Sequence, residues 1–344
     1  MLVDSFGRKL DYLRISITDR CNLRCLYCMP IEGVKWKPHE HMLTFEEIIR
    51  IVKIMAGLGI CKIKVTGGEP LLRKGMSSFL KQLKTIKGIN KVTLTTNGIL
   101  LGAYLDEIDS MGINDVPDSV NISLDALNSE IYKRITRFPQ QELNASCGEN
   151  LYSQPCMLLP QIDRLLEKQI TVKINCVPLR SVNEEEILPI ASLAREKNLI
   201  IRFIELMPFG SASMFQPVSG TETAALIKKT YGALTPFDDV TGSGPALYYS
   251  LQNFKGKIGF INAVTHGFCE NCNRLRLTSE GFLKLCLSND AGIDLREPLR
   301  SGANDEVITD IIKNIAAKKP KSHSLSEIYG ESKIHPDGLS KIGG

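Results

Sequence analysis

The sequence predicts an α/β fold: an incomplete (βα)6 barrel of the TIM type with a C-terminal extension. Three observations predict it. Short β-branched runs alternate with longer helical patterns through the first two-thirds of the chain. Such alternation implies parallel strands joined by crossover helices. Segments rich in cysteine, glycine and hydroxyl groups recur just after the strands, at the end where a βα barrel binds its ligands. On pattern alone, an open doubly wound sheet is the alternative.

Strands are expected over residues 13–18, 62–66, 92–96, 120–124, 172–177 and 200–206. The best helix is 45–58, with Ile48, Ile51, Val52 and Met55 on one face. Weaker helices are 76–83, 101–111, 158–168 and 187–197, and Gly57, Gly59, Gly88 and Gly112 sit where helices should stop. The alternation weakens from about residue 208, so 1–207 reads as the barrel and 208–344 as the extension that closes it. Within the extension, 221–231 and 305–316 read as helices and 248–251 and 257–260 as short strands. Residues 238–245 read as a loop, and 318–344 as a polar tail, mobile until something holds it. The polar stretch 138–155 reads as a loop inserted between the fourth strand and its helix.

Composition narrows the function classes. With 43% hydrophobic and 23% charged residues in 344, the chain matches an ordinary soluble protein. It has no apolar run of 18 residues, so no membrane span is expected. A net charge of +4 is too mild for a nucleic-acid binder. The start lacks an apolar signal core, so a cytoplasmic location is expected, or the mitochondrial matrix for a processed form. In a reducing compartment, clustered cysteines point to metal or catalysis rather than disulfides.

Two cysteine triads stand out. Cys21, Cys25 and Cys28 have C-x3-C-x2-C spacing directly after the first strand. Three thiolates can hold a 4Fe–4S cluster and leave one iron open. Cys269, Cys272 and Cys286 form a second set, with His266 as a candidate fourth ligand. A structural zinc is the alternative at both places. Cys61 and Cys176 are expected in the core, and no role is evident for Cys147 and Cys156.

Strands buried on both faces should be nearly all apolar. Here Arg14, Lys64, Lys173 and Arg202 each interrupt one, and Arg274 and Arg276 follow Cys272. Burying bare charge costs several kcal/mol, so these cations suggest an interior built for a phosphate ester, with Glu69, Asp125 and Glu205 as candidate internal partners. Gly67-Gly68-Glu69-Pro70 after the second strand offers close backbone approach to a ligand and a carboxylate for an ammonium. Thr96-Asn97-Gly98, Ser123 and Asp125, and Met207 end further strands on the same rim.

Together these residues resemble the radical S-adenosylmethionine superfamily and, within it, the GTP 3′,8-cyclase family of molybdenum cofactor biosynthesis. The marks are residues 13–30, 66–70, 94–98, 121–125, 201–205 and 268–276, with the terminal Gly343-Gly344. The resemblance implies two 4Fe–4S clusters, the first on Cys21, Cys25 and Cys28 and the second on Cys269, Cys272 and Cys286. It implies that S-adenosylmethionine, split reductively, yields a 5′-deoxyadenosyl radical. That radical takes the C3′ hydrogen of GTP, and C3′ then joins C8, giving (8S)-3′,8-cyclo-7,8-dihydroguanosine 5′-triphosphate. Tyr27, Gly68, Ser123 and Met207 match contacts to S-adenosylmethionine. Arg14, Lys64, Thr95, Lys173, Arg274, Leu275 and Arg276 match contacts to GTP, with Arg202 as helper. Lys64 stands where the family usually has arginine, and a bidentate fork is lost there. Gly343 and Gly344 would assist the radical step from the tail. The implied partners are an electron donor and the cyclic pyranopterin monophosphate synthase that takes the product; a homodimer is compatible. Competing readings are a radical enzyme modifying a peptide or RNA, and a non-catalytic module with two zinc sites.

Overall fold

The computed structural model describes residues 1–34, 36–113, 117–138, 155–238 and 244–323. The interior of the inserted loop with Cys147, most of the expected 238–245 loop, and the tail with Gly343 and Gly344 lie outside the described residues.

Six strands form the centre: β1 (Tyr12–Ser16), β2 (Lys62–Thr66), β3 (Lys91–Thr96), β4 (Ser119–Ser123), β5 (Thr171–Cys176) and β6 (Ile200–Ile204). They pair in parallel and in chain order. A doubly wound sheet reverses its strand order at a switch point, so this order excludes that alternative. The C-terminal part adds β7 (Thr235–Pro236), β8 (Leu247–Ser250), β9 (Lys257–Ile261), β10 (Arg274–Leu277), β11 (Phe282–Lys284) and β12 (Gly292–Asp294). β9 runs parallel beside β6, and β10 runs parallel beside β1. The extension therefore borders both edges of the central sheet. Among the described residues the outermost strands β12 and β7 do not meet, and the barrel is incomplete.

Alternation along each strand sorts the faces. In β1, Leu13 and Ile15 are fully buried outward while Arg14 between them faces inward. Lys64 lies likewise between Ile63 and Val65, Lys173 between Val172 and Ile174, and Arg202 between Ile201 and Phe203. The outward residues merge into one core with the covering helices, including α1 (Phe45–Gly57), α2 (Met76–Thr85) and α3 (Leu101–Ser110). A reciprocal capping box of Thr44 and Glu47 starts α1. Its stop is Gly59, in the left-handed region at φ +102°; Gly57, expected as a breaker, is the last helical residue.

The fourth crossover holds a helix that periodicity missed. This α4 (Ser129–Thr136) is capped by Asn128, whose Oδ1 accepts from the Glu130 and Ile131 amides at 2.9 and 3.2 Å. The expected helix near 158–168 follows as α5 (Leu158–Glu167).

Candidate active site

The first triad is held from three sides. Backbone bonds from the Arg24 and Leu26 amides to Thr136 and Ile135 dock the cysteine loop on the end of α4. Arg137, left-handed at φ 45°, then reaches back and donates to the Arg24 and Met29 carbonyls at 2.7 and 2.5 Å. Asn97 at the end of β3 donates to Asn22 at 2.8 Å.

Gly68 supplies the third contact. Its amide donates to the Thr18 carbonyl at 2.8 Å, and a Cβ there would sit 2.2 Å from the Arg20 carbonyl. The close approach that these glycines permit is thus made first to the cysteine loop; Gly67 and Gly68 also line the cavity.

Glu69 does not offer its carboxylate to a ligand. It is fully buried and accepts from Thr96 Oγ1, the Asn97 amide and the Leu71 amide at 2.8, 2.7 and 3.0 Å. Burial pushes its pKa up to about 7 despite these bonds. Asp125 accepts from Tyr27 Oη at 2.6 Å and the Val177 amide at 2.8 Å, and burial pushes it up to about 6. Glu205 accepts from the Val264 and Thr265 amides at 2.8 and 3.0 Å. All three acids tie rim segments together, so they are not the expected partners of the interior cations.

Both triads face one cavity of about 290 Å³. Cys21, Cys25 and Cys28 line one part and Cys269, Cys272 and Cys286 another, because β10 beside β1 carries the second set across the opening. Tyr27, Gly68, Ser123, Met207, Arg14, Lys64, Thr95, Arg202, Arg274 and Arg276 line the same space. Lys173 lies beneath it, in a smaller cavity that shares Tyr12, Lys64 and Arg202. Leu275 is not brought to either: its side chain is fully buried in the helix-side core, as alternation between two inward arginines requires. His266 is exposed and pairs with Thr265. The histidine on the cavity is His323, which periodicity gave no reason to pick. Asn175 was also missed; it lines the cavity, and among the described residues its buried Oδ1 has no hydrogen-bond partner. Cys176 is buried as expected, whereas Cys61 is only half-buried and Cys156 is exposed.

The electrostatics are those of an anion site. Among the described residues, none of Lys64, Arg202, Arg274 and Arg276 pairs with a carboxylate. Burial, then Arg14, Arg202 and Lys173, hold Lys64 well below the ordinary lysine range. Burial, then Arg202 and Lys91, bring Lys173 down to about 7. Burial is also the main force lowering Arg14, to about 10, and Arg276.

The thiols fit iron–sulfur ligation. Burial first, then Glu69, pushes Cys21 up to about 12, and burial, then Cys28 and Cys21, push Cys25 well above the ordinary thiol value. Thiols that resist ionisation together need a cationic centre to bind as thiolates. Among the described residues, no three His, Cys, Asp or Glu side chains close on a single ion, as a lone zinc would require. A cluster holds its thiolates on separate irons and needs no such closeness. At the second triad, burial raises Cys272 but Arg274 and Lys319 outweigh it, giving about 7.

Comparison with known proteins agrees with this arrangement. The Radical SAM superfamily model matches residues 15–194, and the Molybdenum Cofactor Synthesis C model matches 199–325. A GTP 3′,8-cyclase of Clostridium perfringens strain 13 is 43% identical over 322 residues, covering 94% of each chain. One from Desulforamulus reducens is 38% identical over 347 residues, covering 100% of both. Among solved structures, Streptococcus suis SuiB bound to S-adenosylmethionine superposes with a TM-score of 0.58 at 14% identity. It covers 96% of this chain and 76% of its own, and supports the fold alone.

Proposed function

The chain belongs to the GTP 3′,8-cyclase family of radical S-adenosylmethionine enzymes, and from that premise we propose how its residues share the reaction. The activity is cyclisation of GTP in the first step of molybdenum cofactor biosynthesis. When bound, a 4Fe–4S cluster and S-adenosylmethionine supply a 5′-deoxyadenosyl radical, which takes the C3′ hydrogen of GTP before C3′ joins C8.

Cys21, Cys25 and Cys28 hold that cluster, and Tyr27, Gly68, Ser123 and Met207 border the S-adenosylmethionine. Arg14, Lys64, Lys173, Arg202, Arg274 and Arg276 receive the triphosphate, and Thr95 and Asn175 offer hydrogen bonds to the nucleoside. Cys269, Cys272 and Cys286 hold a second 4Fe–4S cluster beside the guanine. The terminal Gly343 and Gly344 assist the radical step. Residues 1–207 serve as the barrel and 208–344 as the closing extension. A separate electron donor feeds the first cluster, and the product passes to a cyclic pyranopterin monophosphate synthase.

One observation carries the reading: among the described residues Arg202, Arg274 and Arg276 are buried without a carboxylate partner, and they share a single cavity with both triads. Such cations cost several kcal/mol each unless an anion arrives to pair them. The test is anaerobic reconstitution with iron, sulfide and reductant. Product should form from GTP and S-adenosylmethionine, and Cys25→Ser should abolish S-adenosylmethionine cleavage. Cleavage that ignores GTP would refute the substrate assignment.

A further inference from the structure

One buried cation has no part in the scheme above. Lys319 follows the C-terminal helix Asp305–Ala316 and is 2% exposed. Its ammonium donates to the Arg274 and Leu285 carbonyls at 2.9 and 2.5 Å. Those carbonyls belong to the residues beside two cluster ligands: Arg274 lies two after Cys272, and Leu285 directly precedes Cys286. Among the described residues, no carboxylate pairs with Lys319. The anionic groups acting on it are Cys272 and Cys286, while Arg276 and Arg8 repel it.

The segment that carries Lys319 is strapped over the second triad. Arg8 donates to the Pro320 and Lys321 carbonyls at 2.6 and 2.9 Å and to the Cys269 carbonyl at 2.7 Å. Asp4 holds Arg8 in place at 2.5 Å. At the end of the strap, the His323 amide donates to Cys269 Sγ at 3.4 Å. The strap therefore brings a fixed positive charge and an N–H···S bond to one centre. Net charge and hydrogen bonds to sulfur are two of the factors that set the potential of a cluster.

We propose that Lys319 is the built-in counter-ion of the second centre, a positioning residue that favours its reduced, more negative state. The proposal rests on the two-cluster reading. It explains a buried ammonium that carbonyl dipoles alone do not neutralise: the compensating charge is the thiolate-bound cluster. A cation this close favours the state with one more electron, and its loss should disfavour that state at least about tenfold, ~59 mV for a one-electron couple.

The experiment is an electron-paramagnetic-resonance redox titration of the full-length, anaerobically reconstituted protein, with iron counted in parallel. Lys319→Met should keep about eight irons and lower the potential of the second cluster by ~59 mV or more. Lys319→Arg keeps the charge and should stay near the native value. The first cluster should be unchanged in both. If Lys319→Met sheds the second cluster while Lys319→Arg retains it, the charge requirement is upheld. Unchanged potential in Lys319→Met, or loss of the cluster in both variants, overturns the counter-ion role. A native protein with only about four irons would instead overturn the two-cluster reading itself.

Discussion

A Lys173→Met variant should bind GTP with about one proton less taken up from solution than the native protein. Lys173 is 4% exposed and sits at the floor of the cation-lined space. Burial, then Arg202 and Lys91, hold it at about 7, against an ordinary lysine near ~10.4. For a base displaced downward, the sign is definite. Below about pH 7 the folded, empty protein carries the full cost of the charge. As pH rises from about 7 towards ~10.4 the folded state sheds the proton first, and that cost is relieved. A triphosphate reverses the balance by bringing several negative charges beside the ammonium. At pH 8 roughly a tenth of empty molecules hold the Lys173 proton, so binding should draw in about 0.9 proton there. By the same relation the Lys173 share alone should weaken GTP affinity about fivefold between pH 7 and pH 8, ~1 kcal/mol.

Calorimetric titration of GTP in two buffers of different ionisation enthalpy measures the uptake directly. Lys64 is displaced for the same reasons, so the variant should retain the share due to Lys64. Equal uptake in native and variant proteins would refute the argument, as would pH-independent binding across this window.

Two further outcomes follow from the rim and the tail. Gly68→Ala would place a Cβ 2.2 Å from the Arg20 carbonyl; the cysteine loop must then shift, and iron content should fall from about eight to about four while the second centre remains. Deleting Gly343-Gly344 should cut product formation with iron content unchanged, and a normal rate would make the tail dispensable.

The central strands were legible as short β-branched runs, and in four of the six a single cation interrupts an otherwise apolar stretch, which is a strong signal. Arg14, Lys64 and Arg202 mark the inner wall in the sequence alone. What escaped notice depended on long-range or very short features. Strands β10, β11 and β12 are three or four residues each, too short for periodicity, yet β10 is what carries the second triad to the cavity. Helix α4 is eight residues long, too short for its two-turn apolar face of Ile131, Tyr132 and Ile135 to stand out. Gly68 was recognised as a point of close approach, but its neighbour is the Arg20 carbonyl, 48 positions away in sequence; local pattern cannot name such a partner. Arg137 and Lys319 likewise act on backbone carbonyls, which leave no trace in residue type.

The arrangement of the acids explains why this interior suits a polyanion. Glu69, Asp125 and Glu205 lie within reach of the rim, and each is engaged by backbone amides or by rim hydroxyls. Had they paired instead with Arg202, Lys64 or Arg276, the empty protein would gain stability, and an incoming triphosphate would have to displace a carboxylate from each cation. Breaking such a buried pair costs about 3–5 kcal/mol. By tying the loops together, the acids fix the cysteine loop and the glycine turn while leaving the cations uncompensated. The same few residues therefore supply both halves of the site: a rigid rim for the cluster and its cofactor, and beneath it a positive interior whose cost is offset only when an anion binds. That division predicts a marginal empty state strongly stabilised by its substrate, which is the condition that proton uptake at Lys173 would report.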